Sequence, residues 1–134
     1  MPGEGVDDIR VLVVDDHPLV RTALTEVLES EDGLTVVGEC EDGSQVVDAA
    51  EQLRPDVVCL DMSMPVMGGL AAAEALRAAQ ADVRIIVLTA ESPSRSTVAA
   101  VGADALVPKR ARPDALLNCV RAVAAGATDC PYCL

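Results

Sequence analysis

The sequence predicts an α/β domain in which helices cover both faces of a parallel sheet. Short aliphatic runs and helix-type patterns alternate five times along the chain, as expected for strands joined by right-handed crossover helices. The strand segments are almost continuously apolar, which is typical of strands buried on both faces. With 134 residues, 51% of them hydrophobic, the chain suits one domain with its own core.

Turn and capping residues set the boundaries of these elements. Pro18 opens the first helix at a position where its missing N–H is tolerated, and Pro55 ends the second helix. The predicted strands are 9–14, 34–40, 56–60, 83–88 and 105–107. The predicted helices are 18–29, the segment between Ser44 and Arg54, 70–79, 94–101 and 113–125. We expect the domain to span 9–126, between a loose leader at 1–8 and a tail at 127–134 that is either frayed or the start of a linker.

Charge and composition argue against several functions. The formal net charge is −12 and the pI is near 4.2, so phosphate backbones would repel this stretch. The chain has no Phe or Trp and a single tyrosine, so it lacks stacking platforms for bases. It shows no signal-peptide pattern and no apolar run long enough to span a membrane, and its five cysteines are an odd number. We expect a cytoplasmic protein that lacks a disulfide scaffold and binds neither nucleic acid nor membrane directly through this domain.

Two apolar runs end abruptly in carboxylates. The run 57–60 ends in Asp61, and the run 9–14 ends in Asp15 and Asp16. In an open parallel sheet the carboxyl ends of the strands lie at one rim, so neighbouring strands would bring three acids into one pocket. Such a cluster requires a bound hard cation or a fixed ammonium to offset the repulsion.

These acids suit the transfer of a phosphoryl group to a carboxylate. Asp61, at the tip of the central strand, would be the nucleophile and form a mixed anhydride. Asp16, helped by Asp15, would hold Mg²⁺, and a backbone carbonyl near Ser63 would complete its coordination.

Two residues at later strand ends would bind the transferred group. Lys109 follows the last apolar run, and the Thr89 hydroxyl follows the fourth; both would bind phosphoryl oxygens. His17 is the only histidine, and it is either a solvent-facing loop residue or a metal ligand or base.

Several sequence pieces occur together, in order and at characteristic spacing. These pieces are VLVVDDHPLV at 11–20, DMSMPVMGGL at 61–70, LTA at 88–90, GADA at 102–105 and Lys109. Through them the chain resembles the receiver domain of two-component response regulators, especially the NarL/FixJ-like subfamily, which carries a C-terminal LuxR-type helix-turn-helix. The likeness covers residues 9–126 and is specific because all the pieces occur together.

The resemblance implies a flavodoxin-like (CheY-like) fold with strand order 2-1-3-4-5. It implies Mg²⁺ dependence and phosphorylation of Asp61 by a sensor histidine kinase, in a phosphoacceptor that is not otherwise an enzyme. It also implies possible homodimers and control of transcription through a DNA-binding domain, either attached or lost. By resemblance, Ser63 and Glu91 tune the hydrolysis of the acyl phosphate; the alternative is that both are ordinary exposed residues.

Three features depart from the family pattern, all of them near the fifth strand. The family places Tyr or Phe on that strand, where we expect Ala105 to stand instead. The segment between Thr89 and Lys109 is short, which predicts a short, shifted or mobile fourth helix. Pro108 restricts its neighbour and is able to re-aim Lys109. These departures leave open a second interpretation, an interaction module with vestigial phosphorylation that ligands or oligomerisation control.

A third interpretation comes from the last residues of the chain. Cys130-Pro131-Tyr132-Cys133 has the spacing of a glutaredoxin-type dithiol. Such motifs open a helix after a strand, whereas here no helix follows. The alternatives are therefore a dithiol oxidoreductase and a frayed tail.

Overall fold

The sheet is parallel and five-stranded. The computed structural model of the chain describes residues 8–64, 67–79, 82–90, 92–127 and 130–134, so the predicted leader lies outside it except for Asp8. The strand order is β2-β1-β3-β4-β5, as the resemblance implied. The strands are β1 (Ile9–Val14), β2 (Leu34–Cys40), β3 (Val57–Asp61), β4 (Arg84–Thr89) and β5 (Ala105–Pro108).

Five α-helices connect and cover these strands. They are α1 (Pro18–Glu29), α2 (Val46–Leu53), α3 (Gly69–Ala79), α4 (Arg95–Ala100) and α5 (Pro113–Ala124). The predicted boundaries differ from these by one or two residues at most, mainly where an acid or Thr ends a strand. No helix in the described part of the chain is long and apolar enough to cross a membrane.

The sheet divides the core into two aliphatic layers. Because successive strand residues point to opposite faces, Val11 and Val13 pack with α1 and α5, whereas Leu12 and Val14 pack with α2, α3 and α4. Side chains of β3 are buried on both sides, with every residue from Val57 to Asp61 inaccessible to solvent or nearly so. The central strands are therefore rigid supports for whatever lies at their ends.

The end of α2 shows how proline chemistry shapes the chain. The right-handed helical conformation is disfavoured for a residue before proline, and Arg54, which precedes Pro55, adopts the left-handed conformation with φ of 51°. Its N–H still donates to the Ala50 carbonyl at 2.9 Å and caps the helix. The sequence therefore ends α2 where the argument from Pro55 predicts.

The outer edge of β5 is covered by the last residues of the chain. Ala105 forms an antiparallel bridge with Cys133. The Leu106 N–H donates to the Tyr132 carbonyl at 3.0 Å, and the Leu134 N–H donates to the Asp104 carbonyl at 2.9 Å. The expectation of a frayed tail is wrong for 130–134, because the unpaired polar groups of an edge strand are available to bind it.

Near α4, the structure confirms one predicted departure from the family pattern and corrects another. The fourth helix has six residues, and Val98 is its one buried side chain, so its short length is confirmed. Ala105, however, packs on the α1 and α5 side, and Leu106 packs with the layer that contains Val98. The strand residue that contacts the α4 layer is thus Leu106, and the placement of this position at Ala105 is wrong by one residue. Neither residue is aromatic.

Candidate functional site

The candidate site lies where β1 and β3 end side by side. Val14 pairs with Leu60, so the acids that follow each residue emerge at the same rim. Carboxylate oxygens of Asp15, Asp16 and Asp61 lie within 4.8 Å of one another. Asp15 and Asp61 are buried, whereas Asp16 is exposed. The strand ends therefore gather the three predicted acids into one cluster.

Lys109 supplies the positive charge in this cluster. Its Nζ lies 3.0 Å from Asp61 Oδ1 and 3.3 Å from Asp15 Oδ2. The Lys109 N–H donates to the Thr89 carbonyl at 2.7 Å, which fixes the backbone at the point where β5 leaves the sheet. Pro108 does not turn the lysine away from the acids. As a member of an edge strand, this proline occupies a place where a sheet tolerates it.

Short local hydrogen bonds orient the two buried carboxylates. The His17 N–H donates to Asp15 Oδ1 at 2.9 Å, and the Ser63 N–H donates to Asp61 Oδ1 at 3.3 Å. Each bond joins a carboxylate to the backbone two residues later, a local pattern that aspartate favours at turns. The carboxylates are therefore held by the loops that follow their own strands.

The start of α3 packs directly against the end of β3. A Cβ on Gly69 would lie 2.4 Å from the Asp61 carbonyl oxygen and 2.8 Å from Met62 Cα. The Gly69 N–H donates to the Met62 carbonyl at 2.9 Å. Since only glycine allows this approach, Gly69 positions the backbone that carries Asp61.

The pKa values of Asp61 and Lys109 are both raised above their usual values. Burial raises the pKa of Asp61, and the nearby Asp15 carboxylate raises it further, although the hydrogen bond from Lys109 opposes both effects. Burial lowers the pKa of Lys109, but its contacts with Asp61 and Asp15 outweigh burial and raise it. Asp61 therefore holds its proton more tightly chiefly because it is buried, and Lys109 holds its proton more tightly because two carboxylates contact it. An added divalent cation would relieve the excess of negative charge in the cluster.

A cleft of about 220 Å³ opens this cluster to solvent, and most of the predicted site residues line it. Its walls are formed by Asp16, His17, Asp61, Ser63, Ala90 and Lys109. Thr89 is buried at the end of β4, the strand next to β3, and does not form part of this lining. Glu91 lies outside the described residues. Ala90 also lines the cleft; the sequence placed it in the LTA piece at 88–90 of the resemblance but gave it no role of its own.

These features define a class: doubly wound α/β domains with a lysine-paired acidic cleft at the carboxyl ends of their central strands. Residues 11–121 match the family described as the response regulator receiver domain. This chain belongs to that family, and the predicted receiver identity is confirmed.

Similar proteins agree with this assignment. The chain is 40% identical to the response regulator GacA of Pseudomonas aeruginosa over 88% of its own length and 56% of that protein, so it spans about half of this relative. The receiver domain of the putative response regulator NarL of Mycobacterium tuberculosis has a TM-score of 0.85 and 30% identity, covering 90% of this chain and 98% of that one. The isolated receiver domain of RcsB from Salmonella enterica, studied with the phosphomimetic BeF₃⁻, has a TM-score of 0.81 and 27% identity, covering 90% and 91%. The likeness to these regulators also supports the predicted subfamily.

Proposed function

We propose that the chain is a phosphorylation-controlled receiver that accepts a phosphoryl group from a sensor histidine kinase onto Asp61. The observation that carries this proposal is the position of Asp61 in the cleft. Among the residues that the structure describes, Asp61 is the one buried carboxylate of the cluster that lines the cleft, and its Oδ1 lies 3.0 Å from Lys109 Nζ. Burial and a fixed partner give this carboxylate one orientation.

The contacts of Asp61 divide its two oxygens. Lys109 and the Ser63 N–H both bind Oδ1, which leaves Oδ2 to attack phosphorus. The new bond joins Oδ2 to phosphorus as the bond from phosphorus to the kinase imidazole breaks, and the histidine leaves with its electron pair. Lys109 then has a phosphoryl oxygen within reach and stabilises the added charge. The Thr89 hydroxyl, at the next strand end, would bind a further phosphoryl oxygen.

The donor set suits Mg²⁺. Asp15, Asp16 and Asp61 would hold the ion, together with a backbone carbonyl near Ser63, because Mg²⁺ prefers hard oxygen ligands. When bound, the ion neutralises charge on the phosphoryl oxygens. The structure of the similar RcsB receiver with the phosphomimetic BeF₃⁻ supports the phosphoryl site beside these acids rather than the ion itself.

The output of this switch would run through the side of the molecule formed by α4 and β5. Phosphorylation would shift an existing equilibrium there, with Leu106 in the place where the family has an aromatic ring. In keeping with the resemblance to the NarL/FixJ-like subfamily, we propose that a DNA-binding domain outside this chain carries the signal to transcription. Homodimers would use α1, where Leu19 and Val20 are exposed hydrophobic residues and Val20 lines an apolar groove of about 180 Å³ shared with α5.

Phosphorylation by a small donor tests the proposal. The protein is incubated with Mg²⁺ and acetyl phosphate, and intact mass is measured for the wild type, for Asp61→Asn, and for Asp48→Asn on the exposed side of α2 as a matched control. We expect one phosphate on the wild type and on Asp48→Asn and none on Asp61→Asn. A phosphate on Asp61→Asn, or none on any protein, would contradict the assignment of the acceptor.

Hydrogen exchange separates the switch from the second candidate, a receiver-fold interaction module with vestigial phosphorylation. The short α4 and the absence of an aromatic side chain on β5 favour this alternative. For a switch, BeF₃⁻ with Mg²⁺ slows amide exchange in residues 92–109 as well as around the cleft. Slower exchange confined to the cleft would support the module instead.

A further inference from the structure

Three thiols meet where α5 faces the segment 130–134. Cys130 Sγ lies 2.9 Å from Cys133 Sγ and 3.5 Å from Cys119 Sγ. Cys130 and Cys133 are partly exposed, whereas Cys119 is buried on α5. The acidic cleft does not involve any of these residues, so the cluster requires an explanation of its own.

The two partly exposed thiols lie in a turn that already brings them close enough to form a disulfide with little movement. The Cys133 N–H donates to the Cys130 carbonyl at 3.1 Å, which closes a four-residue turn. The separation of their sulfurs is within about 1 Å of a disulfide bond length, so oxidation needs only a small movement. The structure thus brings together a dithiol that its sequence spacing alone left ambiguous.

The local environment separates the reactive thiol from the inert ones. Burial raises the pKa of Cys130, but hydrogen bonds from the Cys133 thiol and the Tyr132 N–H outweigh it and lower the pKa below its usual value. Burial raises the pKa of Cys119, and it raises the pKa of Cys59 to about 12. Because the thiolate is the nucleophile, Cys130 is the thiol prepared to react.

The dithiol lies within the segment 130–134, which contacts both β5 and α4. The segment 130–134 pairs with the outer edge of β5 through the Ala105–Cys133 bridge. Arg95 on α4 donates through Nη2 to the Cys133 carbonyl at 2.6 Å. The position of the segment 130–134 therefore affects α4, which has few other buried contacts.

We propose that Cys130 and Cys133 form a redox-active dithiol whose disulfide fastens the segment 130–134 to β5 and α4. The oxidant is a small-molecule disulfide. The Cys130 thiolate attacks one of its sulfurs, forms a mixed disulfide and releases one thiolate. Cys133 loses its proton to solvent and attacks the Cys130 sulfur, which releases the second thiolate. Two electrons pass from the protein dithiol to the small disulfide, which leaves as two thiols.

Oxidation favours the docked segment because a closed ring restricts the undocked chain. The turn and the sulfur positions of the docked state already suit the bond, so the disulfide mainly lowers the entropy of alternatives. For a ring this short we expect about a tenfold shift toward the docked state. The bond-forming steps themselves involve no residue of the acidic cleft.

A glutathione titration tests the bond. The protein is equilibrated at several ratios of oxidised to reduced glutathione, quenched by maleimide under denaturing conditions, and weighed by mass spectrometry. We expect the oxidised wild type to take up two fewer maleimides than the reduced form, and Cys119→Ala to behave like it. Cys133→Ser should stop at a mixed disulfide on Cys130, and Cys130→Ser should form no internal bond.

Peptide mapping and hydrogen exchange test the bond's identity and its effect. Mapping of the oxidised wild type should find Cys130 joined to Cys133; a bond to Cys119, or an unchanged maleimide count, would overturn the proposal even if Cys119→Ala fails to fold. The Leu106 amide, which donates to Tyr132, should exchange about tenfold more slowly in the oxidised protein. Equal exchange in both redox states would overturn the fastening of the segment.

Discussion

The cleft at the ends of β1 and β3 and the side formed by β5 and α4 are built in opposite ways. The cleft rests on central strands buried on both faces, and its carboxylates are held by their own loops and by Lys109. The other side has a four-residue edge strand, a six-residue helix with one buried side chain, and an added segment. Rigid support fixes the chemistry, whereas the shallow packing of α4 against a short edge strand leaves the position of that helix open to change.

This contrast indicates which part of the molecule changes conformation at a low cost in free energy. Regions with few buried contacts open at low free energy, and they are the ones that ligands and modifications move. In this protein Lys109 belongs to both regions, since it follows β5 and contacts Asp61. Variants that affect one region without the other therefore test whether the two are separable.

The largest effect is expected from breaking the cleft at its base with Gly69→Ala. The new Cβ would meet the Asp61 carbonyl at 2.4 Å, and neither backbone can yield without moving Asp61. We expect a loss of about 3 kcal/mol in the free energy of unfolding and slower phosphorylation. Urea unfolding measures the first and intact mass the second. Gly68→Ala, whose Cβ would lie 3.3 Å from the Met62 carbonyl, is the control; equal losses in both variants would refute the packing argument.

The second-largest effect is expected from removing Lys109, which links the two regions. Lys109→Ala deletes the ammonium that contacts Asp61 and Asp15, so phosphorylation by acetyl phosphate should slow about 100-fold, the loss typical of one electrostatic stabiliser. The rate is followed by mass spectrometry. Arg110→Ala, an exposed neighbour of the same charge, should keep the wild-type rate. If Lys109→Ala also keeps it, the lysine has no part in the transfer.

Loosening the other side alone should leave the chemistry intact. Val98→Ala removes the one buried side chain of α4, at a cost of about 2 kcal/mol confined to that helix. Hydrogen exchange should rise in residues 95–101, while the phosphorylation rate stays unchanged. Thr97→Ala on the exposed face serves as the control. A matching rise of exchange in β1 and β3 would show that the two regions do not open separately.

The smallest effect is expected from removing the buried negative charge of Asp61. Because the folded pKa of Asp61 is raised, its contribution to stability is present below the unfolded pKa of 3.8 and is lost as pH rises through the folded pKa. Without Mg²⁺ at neutral pH, Asp61→Asn should therefore be about 1 kcal/mol more stable than the wild type. Thermal unfolding across pH 3 to 8 measures the difference, which should vanish at the acidic end. A destabilised variant at neutral pH would reverse the sign of the argument.

Much of the fold and the cluster of acids could be predicted because local rules agree there. Each of Asp15 and Asp61 follows a continuous apolar run, and adjacent parallel strands must deliver such acids to one rim. The prediction that Lys109 contacts the acids rested on the resemblance and on the position of Lys109 after the last strand. These features depend on residue type and on topology, which the sequence displays directly.

Other features depend on long-range register, which local patterns do not contain. The pairing of Ile86 with Ala105 decides which face of β5 each residue occupies, and four residues were too few to reveal it. The docking of 130–134 joins positions far apart in the chain through backbone bonds that require no particular side chain. Asp104, which accepts from Arg77 at 2.8 Å and from the Ile85 N–H at 2.8 Å, is a further tie that spacing did not reveal.

The absence of Phe and Trp from the chain has an optical consequence. Tyr132 is the sole source of intrinsic fluorescence, and it packs against the aliphatic layer within the segment that carries Cys130 and Cys133. The emission of the whole molecule therefore reports on five residues at one edge, and no dye is needed to watch them attach and detach.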